Sequence, residues 1–271
     1  MAESSSLAGK IAVITGGTQG LGEATARLFV ERGAAGIVIC GRNAERGALV
    51  QGELQALGAD AVYVEADLGK LDDVRKVTKA ADDAFGRVDC LVNVAAITDR
   101  GTILDTSPEL YEQMFAVNVR APFFLMQDAA GIMRREGIAG TIVNILSMSS
   151  HGGQPFICAY SASKAALAGL TKNVAYSLMR DRIRVNGLNI GWMNTPGEDA
   201  IQKREHGAAD DWLDKAKAGQ PFGRLLETTE VAKAIAFLAS DESGMMTGSL
   251  VDFDQSVLGC YDAPPQPAAR L

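Results

Sequence analysis

The chain has 271 residues, 47% hydrophobic and 22% charged, with a formal net charge of −7. That apolar content can fill one large core over residues 1–271, and the acidic balance argues against nucleic acid or an anionic membrane surface as a partner. No apolar run approaches the ~18 residues of a membrane span, and the polar N-terminus shows no charged-then-apolar leader pattern.

Cys40, Cys90, Cys158 and Cys260 are too scattered for a disulfide framework or a zinc site. Reduced thiols and a cytoplasmic location are therefore expected. Cys40 and Cys90 fall inside apolar runs as small hydrophobes, and Cys158, two residues before Tyr160, is expected to fill space. His151 and His206, the only histidines, lack ligand spacing, so no metal is expected.

Lys10–Thr15 predicts a short strand. It runs straight into Gly16-Gly17-Thr18-Gln19-Gly20-Leu21-Gly22 and then into a helical pattern of Ala24, Ala26, Leu28 and Phe29. Glycines permit a tight turn and close backbone approach, and the helix start offers N–H groups and positive dipole to a pyrophosphate. With 29 glycines a chance cluster is common. The strand before and helix after turn this one into a dinucleotide-binding signal. A phosphate-binding loop of the Gly-Lys-Ser/Thr kind is excluded, because no such triplet follows.

The second strand, Gly36–Cys40, ends at Gly41-Arg42-Asn43. A charged amphipathic helix (44–57), a strand (61–65), Asp67-Leu68, a helix (71–85) and a fourth strand (88–93) follow. Ser107-Pro108-Glu109 reads as N-cap, first helical position and first-turn acid. The long helix it opens carries Met114, Phe115 and Val117, with Asn118 embedded. Strands at 141–146, 183–188 and 249–253 and a helix at 229–239 complete the alternation, interrupted by a polar stretch at 192–223, read as a substrate loop. The Pro-rich tail from about 262 is expected to be loose. Alternation of this kind predicts a doubly wound parallel sheet with helices on both faces.

Tyr160 and Lys164 lie four apart in a small-residue helical run, so they share a face. A nearby ammonium favours the phenolate and brings the phenol toward acid–base range. Ser147, thirteen residues upstream at the end of a strand, can hydrogen-bond a substrate oxygen beside Tyr160. With 5 Tyr and 10 Lys, a Tyr-x-x-x-Lys arises by chance about 0.2 times, so the pair gains its meaning from the glycine turn.

Taken in order, Thr15-Gly16-x-x-x-Gly20-x-Gly22, Asp67-Leu68, Asn93-x-Ala95, Asn118, Ser147, Tyr160-x-x-x-Lys164 and Gly191-x-x-x-Thr195 resemble the short-chain dehydrogenase/reductase family, standard-length branch. The resemblance implies a Rossmann-like sheet of about seven strands and assembly as a homotetramer or homodimer. It implies Tyr160 as acid–base, Lys164 as its pKa-lowering neighbour and ribose ligand, Ser147 on the substrate oxygen, and Asn118 holding a relay water. The cofactor contacts it implies are Gly16, Thr18, Gln19, Gly20, Leu21, Gly22, Arg42, Asn43, Asp67, Leu68, Asn93, Ala95, Tyr160, Lys164, Gly191, Met193 and Thr195. Three positions depart from the pattern: Ala96 closes Asn93-Val94-Ala95-Ala96 where glycine is usual, Ile190 replaces the proline before Gly191, and Gln19 stands where a basic residue is common.

The cofactor is expected to be NADP, with NAD possible: Gly41 occupies the place of the acid that binds ribose hydroxyls, and Arg42 beside it suits a 2′-phosphate. The expected activity interconverts a secondary alcohol and a carbonyl. Ser149, His151 and Gln154, with Trp192 and Asn194, suggest a small polar substrate such as a sugar, polyol or hydroxy-ketone. Glu198, Asp199 and Gln202 read equally well as substrate contacts or solvated surface. The alternatives are a reductase of apolar ketones, steroids or acyl thioesters, or a non-catalytic dinucleotide sensor. The intact Asn118, Ser147, Tyr160 and Lys164 weigh against the sensor.

Overall fold

The computed structural model describes residues 6–260. Its strands are β1 (Ile11–Thr15), β2 (Gly36–Gly41), β3 (Asp60–Glu65), β4 (Cys90–Asn93), β5 (Thr141–Ser147), β6 (Arg184–Ile190) and β7 (Leu250–Phe253). All pair in parallel, in the order β3-β2-β1-β4-β5-β6-β7. Every residue of β1 and β4 is buried, as continuous apolar runs should be in a sheet covered on both faces.

The nine helices of the described residues are α1 (Gly20–Glu31), α2 (Ala44–Ala56), α3 (Leu71–Phe85), α4 (Pro108–Phe115), α5 (Ala121–Arg135), α6 (Cys158–Leu178), α7 (Pro196–His206), α8 (Trp212–Ala218) and α9 (Thr228–Ala239). Successive strand residues point to opposite faces, so Ile14 and Ile39 meet Phe29, Leu54 and Ile235 on one side. Val13, Val38 and Leu91 meet Val74, Leu125 and Met133 on the other. The chain's connections reverse between β1 and β4, and a crevice opens at the carboxyl ends of strands at such a point.

Three details depart from the sequence expectations. The long helix holding Asn118 is broken by a π-helical turn, Ala116–Arg120, between α4 and α5. The stretch 192–223 contains α7 and α8 instead of being a plain loop. β6 continues through Ile190, and the Gly191 amide bonds Phe253 O at 3.0 Å, so β7 pins the segment that lost its proline. The expected loose tail from 262 lies outside the described residues.

Candidate active site

Gly16 adopts φ +66°, a left-handed turn that glycine accepts readily. A Cβ on Gly22 would fall on the Gly16 carbonyl oxygen, so that tight approach also requires glycine. Gln19 precedes α1 without a side-chain cap, which leaves the first-turn amides of the helix open toward a cleft of about 310 Å³. Gly16, Thr18, Gln19, Gly20, Leu21, Gly22, Arg42, Asp67, Leu68, Ala95, Tyr160, Lys164, Met193 and Thr195 line that cleft together. A bare helix start behind a glycine turn fits a pyrophosphate, and the exposed Arg42 has no hydrogen bond or ion pair among the described residues.

Three expected cofactor contacts stand outside the lining. Asn43 caps α2, its side chain accepting from the Arg46 amide at 2.8 Å. Asn93 is buried between strands, donating to Asn144 Oδ1 at 2.8 Å. Gly191 lies in a neighbouring, larger cleft, where a Cβ would strike the Asp254 carboxylate. Ala96 lines both clefts beside Ala95.

Tyr160, Ser163 and Lys164 come from the first turns of α6, and Ser147 ends β5. Ser147 Oγ accepts from the Ser149 amide at 3.2 Å and from Ser149 Oγ at 2.9 Å. With those acceptor positions taken, its own hydrogen remains to be donated. Burial pushes the Tyr160 phenol up to about 12, opposed by a hydrogen bond with Ser147. Lys164 is 2% exposed, and its Nζ donates to Ile145 O at 2.8 Å. Burial pushes its ammonium down to about 8. Nζ sits 5.7 Å from the Tyr160 ring centroid, and in this geometry enclosure outweighs the expected lowering of the phenol by the lysine.

Asn118 sits in the π-turn, a feature frequent at functional sites. Its Oδ1 accepts from Ile97 N, and its Nδ2 donates to Ile97 O and Ser163 Oγ, at 3.0, 3.0 and 3.1 Å. Ser163 Oγ in turn donates to Tyr160 O at 2.7 Å. The side chain thus ties the loop after β4 to the start of α6.

A larger cleft of about 1520 Å³ meets the first one. Of the expected substrate residues, Ser149, Gln154 and Trp192 line it. His151 does not: its Nε2 lies 3.1 Å from both Asp252 Oδ1 and Asn189 Nδ2, at the ends of β7 and β6. Asn194 does not either; its amide bonds Leu226 O at 2.9 Å. Asp199 accepts from Trp212 Nε1 at 2.8 Å and pairs with Lys203, while Glu198 and Gln202 line the cleft. Cys158 is exposed at the first residue of α6, so it is not a space-filler. Sequence reading missed Ser163, Arg46, which hydrogen-bonds Gln19 from α2, and Arg100, which lines the large cleft. Only Ser163 had a local signal, lying inside Tyr160-x-x-x-Lys164.

A family model described as enoyl-(acyl carrier protein) reductase matches residues 16–255. A Thermotoga maritima protein described as an uncharacterized oxidoreductase is 37% identical over 246 residues, covering 91% of this chain and 96% of its own. A 3alpha-hydroxysteroid dehydrogenase of Mediterraneibacter gnavus is 36% identical over 251 residues, with coverage of 92% and 96%. Among solved structures, L-sorbose reductase from Gluconobacter frateurii, complexed with NADPH and L-sorbose, matches with a TM-score of 0.87 at 28% identity, covering 96% of this chain and 100% of that one. By that family match, by relatives above 30% identity along nearly the whole chain, and by a seven-stranded parallel sheet, the chain belongs to the short-chain dehydrogenase/reductase family of oxidoreductases.

Proposed function

We propose that this oxidoreductase uses NADP(H) to interconvert a secondary alcohol and a carbonyl on a small, multiply hydroxylated substrate. The observation that carries the reading is that Tyr160 belongs to the walls of both clefts, the glycine-turn cleft and the large polar one. Its hydroxyl therefore stands where a bound dinucleotide and a substrate would meet. A nicotinamide cofactor held there would supply or accept the hydride at the substrate carbon. Tyr160 gives its proton to the carbonyl oxygen in reduction and takes it back in oxidation, and Ser147 donates a hydrogen bond to the same oxygen. Lys164, the amides at the start of α1, Asp67 and Leu68 would hold the dinucleotide.

NADP is favoured over NAD by Arg42 at the end of β2, where Gly41 leaves no acid to bind ribose hydroxyls. The NADPH bound by the sorbose reductase agrees with that choice. A polar substrate is favoured by Ser149, Gln154, Gln202 and Asp254 in the large cleft. The second reading, an apolar ketone or steroid, rests on the hydroxysteroid dehydrogenase relative and on Phe156 and Trp192 in the same wall. A kinetic screen of sugars and polyols against steroids, aliphatic ketones and acyl thioesters, with both cofactors, separates the two. The polar reading expects the highest kcat/KM for a polyhydroxylated compound with NADPH; a large apolar ketone in first place would overturn it.

Assembly as a homotetramer or homodimer is proposed on the same footing. Phe123 on α5 and Tyr176 on α6 are 41% and 81% exposed, apolar surface that a second copy could cover. Four free cysteines support a reducing, cytoplasmic location.

A further inference from the structure

Arg100, in the loop after β4, and Glu198, in the first turn of α7, meet across the large cleft with NH2 and Oε1 3.4 Å apart. Their side chains are only 15% and 16% exposed. Each is held firmly from behind. Glu198 Oε1 accepts from Trp192 Nε1 at 2.9 Å and Gln202 Nε2 at 2.7 Å. Arg100 donates through Nε to His206 Nε2 at 3.1 Å and through NH1 to Thr98 O at 2.9 Å, with its guanidinium 5.6 Å from the Phe156 ring centroid. Three of the five guanidinium N–H groups thus have partners, and Glu198 Oε2 has none among the described residues.

Both residues line an open cleft, where water or a ligand can take the hydrogen-bonding capacity they leave unused. They leave open donors on Arg100 and an acceptor on Glu198, two residues that are paired with each other and share a cleft wall with Tyr160. A hydroxyl group both donates and accepts, and so completes both at once. An anion would suit Arg100 but would meet Glu198 and Asp254, and an apolar group would displace water from the open donors and acceptor without replacing its hydrogen bonds. Arg100 and Glu198 line the same cleft as Tyr160, so a substrate set against the phenol shares a cavity with the pair.

We propose that Arg100 and Glu198 form a specificity pair that reads one hydroxyl of a neutral polyhydroxylated substrate, remote from the carbon that exchanges hydride. Glu198 Oε2 accepts from that hydroxyl and an Arg100 N–H donates to it. The pair refines the polar-substrate reading above and rests on it.

The test is a cycle of variants and substrates. Wild type, Glu198→Gln, Arg100→Met and Arg100→Lys are assayed with NADPH on L-sorbose, its 5-deoxy and 6-deoxy analogues, and 2-heptanone, after confirming that NADPH still binds each variant. The pair requires that removing one hydroxyl cost wild type about 10- to 100-fold in kcat/KM. Glu198→Gln and Arg100→Met should lose a similar factor on L-sorbose and little more on that same deoxy analogue, with partial rescue in Arg100→Lys. Equal losses on L-sorbose and both analogues would show that the residues only support the wall, and would overturn the pair while leaving the polar reading intact. A wild type that prefers 2-heptanone to L-sorbose and to every other sugar and polyol of the screen would overturn both.

Discussion

Lys164 is the residue whose environment asks most of the fold. A lysine in an unfolded chain titrates near 10.4, and burial here lowers it to about 8. Between those values the unfolded chain holds a proton that the folded one has released, so stability rises with pH across that window and the penalty is felt in full below it. Lys164→Met should be more stable than wild type at pH 7, by roughly 3 kcal/mol at most, with the advantage gone near pH 10.5. Urea unfolding of both proteins across that range checks this, and an advantage that grows with pH would contradict it. Tyr160, raised to about 12 from an unfolded value near 10, lowers stability as pH rises past 10, but does so in both proteins and leaves their difference to Lys164. Arg42 makes a separate prediction: Arg42→Ala should raise KM for NADPH at least about 10-fold more than KM for NADH, and equal changes would remove the case for a 2′-phosphate contact. The Tyr160–Lys164 pair was legible because its spacing is local. His151 was not, since its partners Asn189 and Asp252 come from strands 38 and 101 residues away.

At the scale of elements, the glycine turn and α1 act as one unit. In Gly22→Ala the new methyl meets backbone, which cannot rotate away as a side chain could. A loss of about 1–3 kcal/mol in stability is expected from such overpacking, with NADPH affinity falling more steeply than stability. Calorimetry with and without NADPH would reveal the opposite pattern. Helix α7 was readable in principle and was missed: Thr195-Pro196-Gly197-Glu198 carries the same cap, proline and acid as Ser107-Pro108-Glu109. It lacked an apolar stripe, because only Ile201 is buried along its length, and hydrophobic periodicity is the stronger signal. Thr195 Oγ1 accepts from the Glu198 amide at 3.0 Å. Thr195→Ala should cost about 1 kcal/mol of helix stability, seen as faster amide exchange in α7 and a raised substrate KM with kcat nearly kept. Unchanged exchange would show that the cap carries no weight. The π-turn at Asn118 had no sequence signature, since one added residue leaves the apolar pattern of α4 and α5 almost intact.

In the whole molecule, the sheet was legible because parallel strands covered on both faces are nearly uniform in apolarity, and the helices between them are punctuated by glycine and caps. Strand ends shifted by a residue or two where the pattern fades, as at Asp89, a buried carboxylate paired with Arg87 just before β4. The meeting of two clefts at one phenol could not be read that way, since it depends on how β5, α6, α7 and the loop after β4 converge. The proposed reaction depends on that convergence, and Tyr160→Phe addresses it most directly. The phenyl ring preserves packing and removes the proton donor alone. Single-turnover reduction followed by NADPH absorbance, on the best carbonyl substrate of the screen, should slow by about 10²–10⁴-fold with NADPH affinity unchanged; a near-normal rate in the variant would contradict the assignment of Tyr160 as the acid–base.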